Sequence, residues 1–116
     1  MTLTLTETRP TVHAVGNIKL YVEEQRLEGP RGEVRLTSAH FRVMRRLLQR
    51  PGVIVTISDL IGELYPDPDL EGEDAYASLR QVLMSLRQAL MLIGAGSTCG
   101  IGNERSVGYF VRGKAA

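Results

Sequence analysis

The chain has one cysteine, Cys99, which rules out an internal disulfide, and no His or Cys stands near it at a metal-ligand spacing. Cys99 reads as a small buried strand residue. Histidine is equally sparse. His13 and His40 are too isolated to suggest catalysis or metal binding, and both read as structural. No nucleophile–base pair and no glycine-rich phosphate loop occurs, so neither an enzyme nor a bound cofactor is expected. Long hydrophobic runs are missing as well. None approaches the roughly 20 residues a bilayer span requires, and residues 1–10 lack a charged start followed by an unbroken apolar stretch. The expectation is a cytoplasmic protein with no membrane contact.

Net charge is also nearly absent, at +1. Its distribution is uneven: residues 1–50 hold nine Lys/Arg against five Asp/Glu, residues 51–79 hold seven acids and no base, and residues 80–116 hold five bases against one acid. Two basic blocks therefore flank an acidic one, which matters more for partner choice than the sum. With 43% hydrophobic and 23% charged residues, the composition is that of a soluble globular protein. A length of 116 residues suits one domain, with no sensor or receiver domain expected beside it.

Residues 1–11 alternate Thr and Leu up to Pro10 and read as a mobile tail or a late edge strand. From 12 to 36 come four short β-prone runs, 12–15, 18–22, 25–28 and 33–36, separated by Gly16-Asn17, Glu23-Glu24 and Gly29-Pro30-Arg31-Gly32. They predict an antiparallel meander. Thr37 precedes a helix over 38–50 whose buried face is Phe41, Met44, Leu47 and Leu48, and Pro51-Gly52 ends it. After the β-branched run Val53-Ile54-Val55, Thr56 is placed to cap a short helix with Asp59 completing the cap and Leu60, Ile61 and Leu64 turned inward. Pro66, Pro68 and Gly72 break the chain into an acidic loop. The longest helix follows over 75–93, with Leu79, Leu83, Leu86, Leu90 and Ile93 as one core stripe and Gly94 as its stop. Segments 98–102 and 107–111 form a hairpin around 103–106, and 113–116 is a C-terminal tail.

Four stretches in this order resemble the OmpR/PhoB-type winged-helix family over residues 12–112. Leu36-Thr37-Ser38-Ala39-His40-Phe41 resembles its Leu-Thr-x-x-Glu-Phe entry to the first helix, followed by Leu47-Leu48, Pro51-Gly52 and Val55-Thr56-x-x-x-Leu60. Leu64-Tyr65 is similar to the pair that closes the second helix, Leu86-Arg87-Gln88-Ala89-Leu90 to Leu-Arg-x-x-Leu of the recognition helix, and Arg105-Ser106-Val107-Gly108-Tyr109 to the Arg-Gly-x-Gly-Tyr of the wing. The resemblance implies an α+β winged helix-turn-helix: a four-stranded antiparallel sheet, three helices and a C-terminal β-hairpin wing. Three positions depart from the pattern. His40 replaces Glu, which weakens the reciprocal cap but leaves Thr37 able to accept a backbone N–H; Ser106 replaces the first wing Gly; Phe110 stands where Arg is common.

The resemblance implies a sequence-specific transcriptional regulator that binds double-stranded DNA through its third helix in the major groove. At about 100° per residue the core stripe leaves Ala77, Gln81, Met84, Ser85 and Gln88 pointing away, with Arg80 and Arg87 on one flank. Ser78, Arg80, Gln81, Met84, Ser85, Arg87, Gln88 and Arg105 are the candidate DNA contacts. Gln81 or Gln88 suits adenine, Ser85 several base edges, and Met84 a thymine methyl. Arg80 and Arg87 suit phosphates, and Arg105 at the hairpin tip suits a minor groove. So few cations imply loose binding by a monomer, hence a homodimer on paired half-sites.

The acidic residues Asp67, Asp69, Glu71, Glu73 and Asp74 would be repelled by phosphate, and they fall where the resembling family contacts RNA polymerase. They are the candidate protein-partner loop, or else a solvated one. Arg42, Arg46 and Arg50 read as a basic stripe on the first helix, either solvated or facing the acidic loop of a neighbouring copy. The alternative to DNA binding is a protein-interaction module that uses the acidic loop with Met84 and Phe110 as exposed anchors.

Overall fold

The computed structural model describes residues 11–67, 69 and 74–114. The reading of residues 1–10 as tail or strand, and the acidic positions Glu71 and Glu73, lie outside these residues. Four strands, β1 (Val12–Val15), β2 (Ile18–Tyr21), β3 (Arg26–Gly29) and β4 (Gly32–Arg35), form an antiparallel sheet in chain order. Alternation along them buries Val15, Ile18, Leu20 and Leu27 and leaves Lys19, Glu33 and Arg35 outside. On the solvent side Arg26 gathers Glu24, Glu28 and Glu33 within 3.4 Å and lies 4.1 Å from the centre of the Tyr21 ring.

Helix α1 (Ser38–Gln49) buries Phe41, Val43, Met44, Leu47 and Leu48. The Thr37 hydroxyl does not cap it. Instead it lies 2.7 Å from Nδ1 of His40, the residue that replaces the capping acid, so the expected side-chain bond to a backbone N–H is not made. A two-residue strand, β5 (Val55–Thr56), leads into α2 (Ile57–Leu64), which Thr56 does cap by accepting from the N–H of Asp59 at 3.1 Å. The Asp59 carboxylate turns to Arg46 at 3.3 Å. Helix α3 (Ala75–Leu92) follows, then β6 (Gly100–Glu104) and β7 (Gly108–Arg112), which join β5 in a second sheet ordered β5-β7-β6.

The second sheet explains one of the wing glycines. A Cβ on Gly108 would lie 2.0 Å from the carbonyl oxygen of Val55, so β5 can pair with β7 only across a glycine. The first sheet meets the end of α3 through its turns. Gly16, at φ +59°, would drive a Cβ to 2.3 Å from the Thr98 carbonyl oxygen, and Thr98 accepts from the N–H of Asn17 and donates to its Oδ1. The N–H of Arg31 donates to the Ile93 carbonyl at 2.8 Å. Gly94, at φ +84°, ends the helix as its place in the sequence implied.

Two residues of the basic stripe on α1, Arg42 and Arg46, are engaged within the fold, while Arg50 is exposed. Arg42 donates from Nε to the Glu63 carbonyl at 2.7 Å and from Nη2 to the Leu64 carbonyl at 3.4 Å, so it satisfies carbonyls that the end of α2 leaves open. Arg46 is bound to Asp59 and Glu63. These partners are local, so Arg42 and Arg46 are neither simply solvated nor left open for a neighbouring copy. Arg42→Ala is expected to lower stability by about 1–2 kcal/mol, the size of lost charge-assisted hydrogen bonds, whereas Arg45→Ala, which gives up only a cation–π contact at 5.3 Å to Phe41, should cost about half that or less. Urea unfolding of the two variants checks the order.

Cys99 is 2% exposed, immediately before β6, and burial pushes its thiol up to about 11. Below the pKa of the unfolded thiol both states are protonated and stability does not change; above it the unfolded chain ionises first, and stability falls until the pH passes the folded value. Stability is therefore expected to fall between about pH 9 and 11 in the parent and less so in Cys99→Ala at matched baseline. Alkylation of Cys99 at pH 8 should be slow in the native protein and fast in urea; equal rates would contradict its burial.

Candidate nucleic-acid interface

Helix α3 has two obligations. Ala75, Leu79, Val82, Leu83, Leu86 and Leu90 enter the core, and the rest of its circumference is left to solvent. That remainder divides into three strips, because residues three and four apart share a face.

The outermost strip contains Ala77, Gln81, Met84 and Gln88, all exposed, with Met84 at 60%. Met91 and Leu92 extend it at 75% and 72%, an apolar end that the sequence reading did not single out. Their exposure follows from the same periodicity, since both fall off the stripe that Leu90 and Ile93 complete.

The second strip faces the hairpin. Arg80, Met84 and Arg87 line one shallow depression with Tyr76, Asn103 and Tyr109. The Arg80 guanidinium lies 5.6 Å from the centre of the Tyr76 ring, and Nη2 of Arg87 donates to the Ile101 carbonyl at 3.4 Å, linking α3 to β6. Tyr109 is buried beneath them. Burial, and then the neighbouring Tyr76 hydroxyl, hold the Tyr109 hydroxyl above its ordinary pKa, against the opposing pull of Arg87 and Arg80. The third strip faces α1: Ser78, Gln81 and Ser85 line a second depression with Ala77, His40 and the edge of the buried Val82. Ser78 is half-buried there and Ser85 exposed.

Arg105 shares neither depression. It stands exposed in the turn between β6 and β7, where the Val107 N–H donates to the Glu104 carbonyl and the Val107 carbonyl accepts from Ile57, tying the wing to the start of α2. Ser106, in the place of a wing glycine, adopts φ +66°, the left-handed conformation for which glycine is the default. The turn therefore keeps its shape with a residue that carries about 1 kcal/mol of conformational strain. Phe110 is half-buried, not an exposed anchor. Its ring lies over Gly102, its cross-strand partner, where an added Cβ would meet the ring at 2.4 Å. This corrects its assignment as a docking residue.

Of the acidic loop, Asp67 and Asp69 are exposed, and Asp67 Oδ1 accepts from the Asp69 N–H at 3.0 Å. Asp74 stands at the head of α3, where its side chain makes no cap bond while its carbonyl accepts from Ser78. Among the described residues no group of three His, Cys, Asp or Glu is arranged to hold a metal, and no helix is long and apolar enough to cross a membrane.

Comparison with known proteins bears on this arrangement. The DNA-binding domain of E. coli CadC aligns with a TM-score of 0.75 at 16% identity, over 93% of this chain and 96% of that one. The DNA-binding domain of the response regulator AdeR, solved in complex with an intercistronic region, aligns at 0.69 and 16%, over 86% and 98%. The C-terminal domain of the nisin resistance regulator NsrR, a lantibiotic response regulator, aligns at 0.66 and 23%, over 86% and 96%. These likenesses establish the winged-helix fold. No curated protein matches the chain in sequence. The family model described as "Transcriptional regulatory protein, C terminal" matches residues 31–111, from the turn before β4 to the penultimate residue of β7. The chain thus belongs to the OmpR/PhoB-type C-terminal DNA-binding domains of transcriptional regulatory proteins, a regulatory family and not an enzymatic one.

Proposed function

We propose that the protein is a sequence-specific regulator that reads duplex DNA in the cytoplasm with α3 in the major groove and the wing turn in the adjacent minor groove. The observation that carries this reading is the bare side of α3. A helix with side chains is about 10–12 Å across and the major groove about 12 Å wide, so one exposed side can meet base edges while both flanks meet phosphate. Gln81, Gln88 and Met84 take the base edges, Ser85 and Ser78 the border, Arg80 and Arg87 one phosphate strand, and Arg105 the minor groove. Binding as a homodimer on paired half-sites offsets the small number of cations. The acidic residues of the loop before α3 would then serve a protein partner such as RNA polymerase.

A second reading has one specific observation in its favour. Met84, Met91 and Leu92 are among the most exposed large apolar side chains of the described residues, and such a row suits a protein partner as well as thymine methyls.

Selection of bound duplexes from a random pool, followed by anisotropy titration, distinguishes the two. DNA reading predicts an enriched sequence, a salt slope of about 2 per protomer for the two phosphate-neutralising arginines, and a loss of about tenfold or more in affinity for Arg80→Glu, Arg87→Glu and Arg105→Glu. Arg80→Glu is the cleanest of these because Arg80 donates to no backbone carbonyl among the described residues. No enrichment over random duplex at about 50 mM salt would favour the protein-partner reading.

A further inference from the structure

The two depressions beside α3 are not equivalent in charge. The one on the wing side holds Arg80 and Arg87. The one on the α1 side is lined by Ala77, Ser78, Gln81, Val82, Ser85 and His40, and its single ionisable group is His40. If α3 lies in the major groove, each depression faces a phosphate strand, because a helix that nearly fills the groove has sugar-phosphate on both flanks. The wing-side strand meets two permanent cations and the opposite strand meets one histidine.

We propose that His40 is a DNA-phosphate contact, extending the interface from α3 to α1; the proposal rests on the DNA reading above. The Thr37 hydroxyl holds Nδ1 at 2.7 Å. Nε2 is then the ring nitrogen available to a ligand. It carries the proton when Thr37 donates to Nδ1, and it is a charged donor when the ring is protonated. The same bond fixes the ring, so little ordering remains to be done on binding. The acid usual at this position in the resembling family would repel phosphate, and its replacement by His removes that repulsion. Among the described residues no carboxylate lines the depression. The first turn of α1 has no acid, Arg42 is turned to the carbonyls of Glu63 and Leu64, and Arg80 lines the other depression. Asp74, at the head of α3, is the nearest acid along that helix and does not line the groove.

The readout is the pH dependence of affinity for the selected duplex, measured with the full chain between pH 5.5 and 8.0. Histidine is the side chain whose charge ordinarily changes in that interval. Binding draws a phosphate to the charged form, so affinity should rise as pH falls, by about threefold to tenfold. The salt slope should steepen by about 0.9, the contribution of one phosphate. His40→Gln keeps a donor but loses the charge and should flatten both dependences. His40→Lys should bind tightly at both pH values, and His13→Gln, altered on β1 of the other sheet, should behave as the parent. Circular dichroism at both pH values confirms that each variant is folded. Wild-type affinity indifferent to pH, or a pH dependence that survives in His40→Gln, would overturn the assignment of His40 while leaving DNA binding intact. Absence of any selected duplex at either pH would instead remove the reading on which it rests.

Discussion

The fold turns on the buried stripe of α3. Leu79, Leu83, Leu86 and Leu90 pack against α1 and α2 at a few per cent exposure or less, and burying four such side chains is worth several kcal/mol in a domain whose whole stability is about that size or little more. Because the stripe cannot rotate out of the core without losing this, the azimuth of every other residue on the helix is set. Two further restraints prevent sliding and tilting. The turns of the first sheet meet the end of the helix at Ile93 and Gly94, and Arg87 ties its middle to β6. The solvent face of α3 is held in place because the opposite side of the same helix is the core.

Part of the positive charge is taken up inside the fold. Arg26 is surrounded by three carboxylates, Arg46 by two, and Arg42 is occupied by the carbonyls that end α2. These arginines serve the fold. Those exposed around the proposed DNA face are Arg80, Arg87 and Arg105, which is why a near-neutral chain is compatible with DNA binding and why affinity would depend on assembly.

The helices, the meander and the hairpin were legible because each is announced within a few residues: Leu spacing on α3, Thr56 before Asp59, Gly16-Asn17 between strands. The boundaries of α1 and α3 move by one residue from expectation. Features that depend on distant partners were not legible. Strand β5 is two residues long and exists only because Gly108 and Tyr109 lie across from it. Arg42 looked solvated until α2 folded its last carbonyls onto it. Phe110 looked exposed because nothing local reveals Gly102 opposite. The contact between Thr37 and His40 was hidden for another reason: the expected cap assumed an acid, and imidazole competes for the same hydroxyl. On α3 the candidate face was readable from periodicity, while its division into a wing flank and an α1 flank required the packing of the other elements.

The central claim is that the solvent side of α3 meets DNA, and methionine provides the most direct probe of it. Met44 is fully buried on α1 and Met84 stands 60% exposed on the outer strip. With methyl-labelled methionine and a selected duplex, the Met84 methyl resonance, assigned through Met84→Leu, should shift or broaden with saturation at the binding stoichiometry, while Met44 stays in place. A Met84 signal unchanged at saturating DNA would contradict the account.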